Sequence, residues 1–433
     1  MIIGIDASRA NRGHKSGTEW YSYYVIRWLA KLDNKNLYIL YADEPLRGGL
    51  VDLTTVQHKK DIFPEPEIAF DKEGYQVLKS PFNNFRGKVL RWPLKYFWTQ
   101  GRLSLEMIFK RPDALFVPAH ALPFIHPKRS VITIHDIGFE RDRRLYQSEA
   151  IGPAGIMKRK LFNIFVYLFT FGKYRANSID YLRWSTAYAL KKARQVITVS
   201  NFTRKEIEEY YRLNTDKISV VYNGYNRYLY QPQNDKNKVM EVLARYGLEP
   251  PYLLYVGRIE KKKNTPALIE AFALMRENNK NISHKLVLAG DASYGYDETN
   301  YMIGQYRLDD EVVMPGWVEE EDLPYFYAGA TAFIFPSFYE GFGIPLLQAM
   351  ACDLPIAASW SSSIPEVVGE AALLFDPYNA QSMAKAMARI ITDGGMQNKL
   401  IRLGREKVRN FSWEKCARQT LAIIDKDFFA ASG

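Results

Sequence analysis

The chain has 433 residues, 47% of them hydrophobic and 24% charged, which indicates two or three domains and excludes disordered, collagen-like and coiled-coil proteins. Its two cysteines, Cys352 and Cys416, are too few for a disulfide framework or a four-cysteine zinc site. The formal net charge of +10 divides into +15 for residues 1–250 and −5 for residues 251–433, so we expect two domains with different partners.

In the first half, short apolar runs alternate with helical patterns, which is typical of a parallel sheet covered on both faces. Residues 1–229 are therefore predicted to form an N-terminal α/β domain. Its predicted strands are Met1–Ala7, Leu37–Ala42, Ala114–Val117, Val131–His135, Gln195–Ser200 and Ile218–Tyr222, with helices at Thr18–Leu32 and Thr203–Tyr211.

A cluster of Gln, Asn and Asp from residue 231 to 235 interrupts this alternation, so residues 230–250 are interpreted as a linker. Residues 251–411 repeat the α/β pattern as a second doubly wound domain, and a helix within 412–433 is expected to pack back on the first domain. The predicted strands are Tyr252–Val256, Lys285–Ala289, Val312–Met314 and Ala332–Phe335, with helices at Thr265–Glu277, Ile344–Ala351 and Gln381–Ile391.

The densest chemical signal follows the strand Ala332–Phe335, where a bend with two glycines leads into a helix. Gly341 and Gly343 allow the backbone to approach a ligand closely, and the N–H groups of such a turn bind anions. Glu340 begins the bend and Gln348 lies further along the helix. The same pattern also fits an ordinary strand-to-helix turn with a solvated glutamate.

A second signal follows the first strand of the second domain, where Gly257 precedes Arg258, Lys261, Lys262 and Lys263. A diphosphate requires cations of this kind, although adjacent lysines are also common on a plain surface.

Two weaker signals lie in the first domain. The loop from Asn11 to Glu19 is similar to phosphate-contacting loops but lacks the GxGxxG and GxxxxGK spacings. His135 and Asp136 end a predicted strand, where a lone histidine is either structural or catalytic.

In its ordered set of motifs the chain resembles the family-four retaining glycosyltransferases of the GT-B fold, over nearly its whole length. The motifs that carry the resemblance are the Gly17 loop, His135-Asp136, Val199–Thr203, Asn223-Gly224, Gly257–Asn264, Glu340–Pro345 and Ser361–Gly369.

The resemblance implies two Rossmann-like domains facing a central cleft, and sugar transfer from a nucleotide diphosphate sugar with retained configuration and no obligatory metal. It implies that Arg258 and Lys263 hold the diphosphate, that Glu340 contacts the sugar hydroxyls and that His135 lies against the sugar. The donor-binding residues it implies are Gly17, Thr18, Gly257, Trp317, Val318, Gly341, Phe342, Gly343, Ile344 and Gln348.

Gln348 departs from the family pattern, which has a second glutamate at this position for the ribose hydroxyls. A neutral hydrogen bond replaces a charge-assisted one, so donor affinity is expected to fall by about 1 kcal/mol. The lone Asp-x-Asp triplet, Asp425 to Asp427, lies far from the other signals in a helical pattern, so no metal site is predicted.

An insert at about 150–180 contains the nearly continuous apolar run Leu161–Phe171, with basic residues at both ends. A helix of that length covers about 16 Å, half of a bilayer core. It is an interfacial helix, a buried core helix or a dimer contact, and we expect it to dock on an anionic membrane. The predicted contacts are Lys158, Arg159, Lys160, Phe162, Phe165, Phe169 and Lys173.

We therefore expect a cytoplasmic glycosyltransferase, peripheral at the inner face of the cell membrane, that transfers a hexose from a nucleotide diphosphate sugar, GDP-mannose first, to a lipid-linked glycan or glycolipid. No nucleic-acid-binding motif is present. Two alternatives remain at this point: a sugar-nucleotide 2-epimerase of the same fold, and a catalytically silent scaffold that binds nucleotide sugars.

Overall fold

The computed structural model describes residues 1–55, 68–93, 97–153, 155–213 and 215–429. The chain divides into two compact units. Unit 1 comprises Met1–Arg143, Gln147–Asn223 and Trp413–Gly433, and unit 2 comprises Arg144–Tyr146 and Gly224–Ser412.

Within its described residues, unit 1 contains an eight-stranded sheet in the order β3-β4-β2-β1-β5-β6-β7-β8. Only β3 is antiparallel to its neighbour there. The strands are β1 (Ile2–Asp6), β2 (Leu37–Ala42), β3 (Gln76–Val77), β4 (Phe85–Val89), β5 (Ala114–Val117), β6 (Arg129–Ile134), β7 (Gln195–Thr198) and β8 (Ile218–Val220). The helices are α1 (Gly17–Leu32), α2 (Ser104–Phe109), α3 (Gly138–Arg141), α4 (Ile156–Phe169), α5 (Ser178–Lys192) and α6 (Asn201–Tyr211).

The start of helix α1 is stabilised by a capping interaction between Ser16 and Glu19. The Glu19 side chain accepts a hydrogen bond from the Ser16 N–H at 3.2 Å, which satisfies a donor that precedes the helix. Burial acts to raise the pKa of Glu19, but the Ser16 hydroxyl and the nearby Arg9 leave it lowered. The central strand β1 is buried from Ile3 to Asp6, as expected for a parallel sheet covered on both faces.

The described part of unit 2 contains a six-stranded parallel sheet in the order β11-β10-β9-β12-β13-β14. The strands are β9 (Tyr252–Val256), β10 (Lys285–Ala289), β11 (Val312–Gly316), β12 (Ala332–Phe335), β13 (Ile356–Ser359) and β14 (Ala372–Phe375). The helices are α7 (Lys236–Arg245), α8 (Thr265–Asn278), α9 (Tyr296–Gln305), α10 (Leu323–Gly329), α11 (Ile344–Ala351), α12 (Ile364–Val368), α13 (Ala380–Thr392) and α14 (Gly394–Val408).

The segment 230–250 is not a simple linker, because it contains α7, which belongs to unit 2. The polar residue Asp235 caps this helix, its side chain accepting a hydrogen bond from the Lys238 N–H at 3.0 Å. Asp322 then holds the end of α7 through Arg245 at 2.8 Å and the Tyr246 hydroxyl at 2.7 Å. The polar cluster therefore marks a helix start.

The last helix, α15 (Trp413–Phe429), lies in unit 1 and packs against α1. Trp413 is 2% exposed and stacks on Tyr24, with ring centroids 5.3 Å apart. Its ring also meets Tyr21 edge-on at 6.1 Å. Unit 1 is therefore completed by residues from the far end of the chain.

Candidate active site

The cations of unit 2 follow β9 at the carboxyl edge of the sheet. Gly257 has a φ of 153°, and its N–H donates to the Ala289 carbonyl at 2.9 Å. Gly290 follows the neighbouring strand β10. A Cβ atom at this position would lie 2.0 Å from the Gly257 carbonyl oxygen, so the two backbones approach each other too closely for a side chain at residue 290. The next residue, Arg258, has a side chain that is 53% exposed and pairs with Glu260 at 3.6 Å.

The glycine-containing bend follows β12, which pairs with β9, and lies beside these cations. The Phe338 N–H donates to the Lys262 carbonyl at 3.0 Å, which joins the two segments through their backbones. Asn264 adds a second connection, its side-chain amide donating to the Pro336 carbonyl at 3.2 Å. The two segments that the sequence singled out are therefore adjacent in one unit.

An ion pair joins the two segments directly: Lys263 Nζ lies 2.6 Å from Glu340 Oε1. The side chains are 17% and 8% exposed, so the pair is largely removed from solvent. Ser337 Oγ also donates to Oε1 at 2.7 Å. Across the described residues, Glu340 Oε2 has no hydrogen-bond donor, so this oxygen remains available to accept bonds from a ligand.

Two further serines hold the backbone of Glu340. Its N–H donates to Ser362 Oγ at 2.9 Å, and its carbonyl accepts from Ser363 Oγ at 2.9 Å. Both serines follow β13, the strand next to β12. Sequence reasoning missed Ser337, Ser362 and Ser363 as supports of this carboxylate, although two of them lie in the Ser361–Gly369 motif.

The rest of the bend is buried and leads into α11. Gly343 has a φ of 96°, a left-handed conformation that favours glycine, and directly precedes Ile344 at the helix start. Phe342 is 3% exposed and packs edge-on against Phe411, with ring centroids 5.7 Å apart. Gly341 is buried between Glu340 and Phe342. Phe342 thus anchors the bend in the core.

Gln348 lies in α11 and is 9% exposed. The buried Tyr327 hydroxyl donates to its Oε1 at 3.1 Å. Burial raises the pKa of Tyr327 well above its usual value, so the hydroxyl stays protonated. Trp317 and Val318 follow β11 at the same sheet edge, two strands away from β9.

The candidate residues of unit 1 also lie near the carboxyl edge of their sheet. Gly17 begins α1, and the Thr18 carbonyl accepts from Ser22 Oγ at 2.9 Å. His135 follows β6 and meets the Tyr21 ring of α1 edge-on at 4.9 Å. The structure thus brings the start of α1 and His135 together within unit 1.

His135 is buried, and burial lowers its pKa. Its Nε2 lies 3.0 Å from the Pro118 carbonyl, and its backbone N–H donates to His120 Nε2 at 2.9 Å. Sequence reasoning missed His120, which follows the neighbouring strand β5.

Helix α4, in the insert, presents apolar side chains to solvent. The exposed fractions are 62% for Leu161, 61% for Phe165 and 68% for Leu168, which rules out burial of this face in the core of unit 1. Lys158, Arg159, Lys160 and Lys173 are exposed as well. Phe162 is only half-buried, on the side that contacts Gly152. The Phe169 side chain lies outside the described residues.

Between residues 150 and 179 the sequence has five basic residues and no acidic one. No helix in the described ranges is long and apolar enough to cross a bilayer. In the same ranges, His, Cys, Asp and Glu form no group of three or more that could hold a metal ion.

The whole chain resembles the solved sucrose-phosphate synthase from Thermosynechococcus elongatus, with a TM-score of 0.69, 19% identity and 100% of both chains covered. The two α/β units, each built on a largely parallel sheet, and this structural similarity together assign the chain to the GT-B fold class of glycosyltransferases.

Two family descriptions match almost all of the chain: Glycosyltransferase Family 4 over residues 16–227 and Glycosyl transferases group 1 over residues 219–407. The chain belongs to the family-four glycosyltransferases, as the ordered motifs predicted.

The chain is 29% identical to O-antigen chain mannosyltransferase B of Escherichia coli over 74% of its own length and 82% of the relative's. It is 24% identical to O-antigen chain mannosyltransferase RfbU of Salmonella typhimurium over 74% and 78% of the two lengths. The protein is therefore a transferase, and the family gives no support to the epimerase alternative.

Proposed function

We propose that the protein is a retaining hexosyltransferase that uses GDP-mannose as donor and a lipid-linked glycan as acceptor. The observation that carries the proposal is the buried Lys263–Glu340 pair, which lies beside the exposed Arg258 at one sheet edge. Two relatives named as O-antigen mannosyltransferases support mannose as the transferred sugar.

In this proposal the two cations act on the donor diphosphate. Arg258 and Lys263 donate charge-assisted hydrogen bonds to the diphosphate and stabilise its departure from the sugar. A preorganised site supplies this stabilisation without solvent reorganisation, so the chemistry needs no metal ion.

Glu340 has a different task, because one of its oxygens is already occupied. Oε1 is held by Lys263 and Ser337, so the carboxylate has a fixed orientation. Oε2 is then positioned to accept hydrogen bonds from sugar hydroxyls, which fixes the sugar relative to its leaving group. A retained anomeric configuration is proposed from the family resemblance.

The α4 surface supports a membrane-bound acceptor. Its apolar side chains face solvent, and its flanking cations are suited to the anionic lipids of the cytoplasmic leaflet. We therefore place the enzyme at the inner face of the cell membrane, where a lipid-linked glycan presents its sugar end to the site.

The test is a donor screen that measures release of nucleotide diphosphate with detergent-solubilised lipid-linked glycans as acceptors. GDP-mannose is expected to give the highest rate, UDP-hexoses a lower one, and EDTA no change. Preference for a UDP-hexose would show that GDP-mannose is not the donor. Loss of activity in EDTA would show that the reaction requires a metal ion. If binding occurs without hydrolysis or transfer, the scaffold alternative holds.

A further inference from the structure

A row of aromatic side chains runs along the carboxyl edge of the unit 2 sheet. Phe338 follows β12, Trp360 follows β13 and Tyr378 follows β14, and these are successive strands of that sheet. Tyr378 stacks on Phe338, with ring centroids 4.9 Å apart and an interplanar angle of 26°. Trp360 and Tyr378 are 72% and 79% exposed, more than any other aromatic side chain among the described residues of unit 2. We call Phe338, Trp360 and Tyr378 the aromatic row.

One buried amide holds the loops after β12 and β14 together. Asn264 is 2% exposed, and its side chain donates to the Pro336 carbonyl at 3.2 Å and to the Pro377 carbonyl at 2.8 Å. Each of these prolines lies within two residues of a member of the aromatic row. Because Asn264 directly follows Lys263, the row is attached to the segment that pairs with Glu340.

The loop after β13 is attached to the same site. Ser361 Oγ donates to the Ser337 carbonyl at 2.8 Å, and the Ser337 hydroxyl in turn supports the Glu340 carboxylate. The Trp360 N–H donates to the Phe375 carbonyl at 2.7 Å, which fixes the backbone that carries the indole. The backbone of the aromatic row is therefore ordered before a ligand binds, and this lowers the entropic cost of binding.

The surroundings of the aromatic row are acidic. Residues 353–384 contain four carboxylates and no Lys, Arg or His. One of them, Asp376, lies beside the row, because its Oδ1 accepts the Tyr378 N–H at 2.9 Å. This is the opposite of α4, whose exposed apolar side chains are flanked by cations. Like charges repel, so the row is a poor surface for anionic lipids or nucleic acids.

A neutral sugar chain matches both the aromatic and the acidic character of this surface. The C–H groups of a sugar ring form an apolar face, which packs against the electron-rich face of an aromatic ring. The sugar hydroxyls donate hydrogen bonds, and ionised carboxylates accept them. Across the ranges that the structure describes, Asp376 Oδ2 accepts no hydrogen bond from the protein, so it is available to such a hydroxyl.

We propose that the aromatic row binds the sugar chain of a neutral glycan, outside the Glu340 site, and so retains acceptors that carry several sugar residues. The inference rests on the proposed function only for the identity of this glycan as the acceptor. It adds a second sugar-binding surface and a preference for longer acceptors. The row and Glu340 both belong to unit 2, so the contact involves unit 2 alone.

The first test measures sugar binding without catalysis. The full chain, which has eight tryptophans, is titrated with neutral linear tetrasaccharides of mannose, glucose or galactose while its indole N–H signals are recorded by NMR. Trp360→Phe identifies the Trp360 signal by its absence. We expect at least one tetrasaccharide to shift this signal saturably, and a shift by any of them supports the inference. No saturable shift with any of them overturns it.

The second test compares variants by ligand-detected NMR with the tetrasaccharide that binds best. Trp360→Ser and Tyr378→Ser should each weaken binding about tenfold or more, because truncation of an aromatic contact is costly. Tyr378→Phe keeps the ring and should retain binding. Tyr301→Ser is the matched control, at a tyrosine of α9 that is 69% exposed, and should bind like wild type. Equal weakening by Tyr301→Ser, or unchanged binding by both serine variants of the row, contradicts the inference.

The third test uses transfer to two acceptors that share one lipid, the first with a single sugar and the second with a tetrasaccharide. Wild type should have the lower KM for the longer acceptor, and the double variant Trp360→Ser, Tyr378→Ser should reduce the ratio of the two KM values about tenfold. A merely structural role would change kcat with both acceptors and leave that ratio unchanged. If the proposed transfer reaction is wrong, this test fails while the two binding tests still report on the row.

The same double variant distinguishes the other possible occupants of the row. Sedimentation velocity measures the oligomeric state, and cosedimentation with vesicles containing phosphatidylglycerol measures lipid binding. We expect neither to change. A change in oligomeric state with unaltered sugar binding would make the row a contact between copies of the chain. Weaker vesicle binding with unaltered sugar binding would make it a lipid contact, and either result overturns the inference.

Discussion

Charge and stability are coupled at Glu340. The carboxylate and Lys263 lie 2.6 Å apart and are mostly buried, so each neutralises the other. Removal of one partner from a buried pair costs about 3–5 kcal/mol, because the remaining charge is left without compensation. A substitution at this site therefore tests function cleanly only when folding is measured in the same experiment.

We predict that Glu340→Gln lowers the transfer rate at least a hundredfold and that Glu340→Ala abolishes transfer. The amide keeps the size of the side chain and a hydrogen bond to Ser337, but it loses the charged oxygen that would bind the sugar hydroxyls, a loss of about 3 kcal/mol or more. The assay is nucleotide diphosphate release, run below the melting temperature of each variant. Glu370→Gln, at an exposed glutamate of the same unit, is the control and should match wild type. Near-normal transfer by Glu340→Ala would remove Glu340 from the mechanism.

At Gln348 we predict that a charge improves donor binding. Gln348→Glu should leave transfer intact and tighten the donor Kd about fivefold, because a carboxylate forms stronger hydrogen bonds than an amide by about 1 kcal/mol. Tyr327 can donate to either side chain, so the fold should tolerate the change. Calorimetric titration with GDP-mannose measures the effect, and Gln381→Glu, at an exposed glutamine of α13, is the matched control. Complete loss of transfer in Gln348→Glu would show that the neutral amide is required.

At the residue scale, the sequence could predict the charged members of the site but not their supports. Lys263 and Glu340 each follow a recognisable apolar strand, and strands β9 and β12 end at one edge. Ser362 reaches Glu340 only because β13 lies beside β12, and His120 reaches His135 only because β5 lies beside β6. Such contacts depend on the order of strands in the sheet, which strand patterns alone do not give.

Helix α4 exposes a large apolar surface to water. Three of its large apolar side chains, Leu161, Phe165 and Leu168, are more than 60% exposed. The side of α4 that packs against the rest of unit 1 is smaller than its exposed side. On that side, Asn163 Oδ1 accepts the Ala176 N–H at 2.8 Å. A lipid surface would cover the apolar side chains and attract the flanking cations, each contributing about 1 kcal/mol near an anionic membrane.

We predict that the triple variant Leu161→Ser, Phe165→Ser and Leu168→Ser lowers binding to phosphatidylglycerol-containing vesicles at least tenfold. These side chains lose little packing in the free protein, so the melting temperature should stay the same. Cosedimentation measures the binding, and higher salt should weaken the wild-type interaction. The control replaces the exposed aromatics of unit 2, Trp360 and Tyr378, by serine. Unchanged cosedimentation of the triple variant, with a change in its oligomeric state, would favour a dimer contact.

At the element scale, apolar runs predicted several buried strands but missed β13, whose four residues are all buried. The bounds of β2, β5, β9, β10 and β12 agree with the sequence prediction. Strand β4 escaped prediction because Arg86, Gly87 and Lys88 interrupt its apolar pattern, although it lies between β3 and β2. The segment that contains α7 was predicted as a linker for another reason. The same polar residue types cap helices and occur in linkers, so composition alone does not distinguish the two.

At the scale of the whole molecule, the fold class follows from alternation, but the division of the chain does not. Parallel strands require long crossover connections, so repeated strand and helix patterns indicate two doubly wound sheets. The assignment of Trp413–Gly433 to unit 1 depends on tertiary packing across nearly the full length of the sequence. Trp413 stacks on Tyr24 of α1, which lies 389 positions earlier in the chain. No local sequence pattern predicts this contact.

The packing of α15 gives the last prediction. Trp413→Ala removes a ring that is 2% exposed and stacked on Tyr24, so it should destabilise unit 1 by about 3–5 kcal/mol. Because a chain of two units need not unfold in one step, calorimetry is expected to show an earlier transition for unit 1. Nucleotide, which is proposed to bind the cations of unit 2, should raise the later transition in both proteins. Trp360→Ala, at a tryptophan of unit 2 that is 72% exposed, is the control and should change neither transition. A Trp413→Ala protein that melts like wild type would show that α15 contributes little to the stability of unit 1.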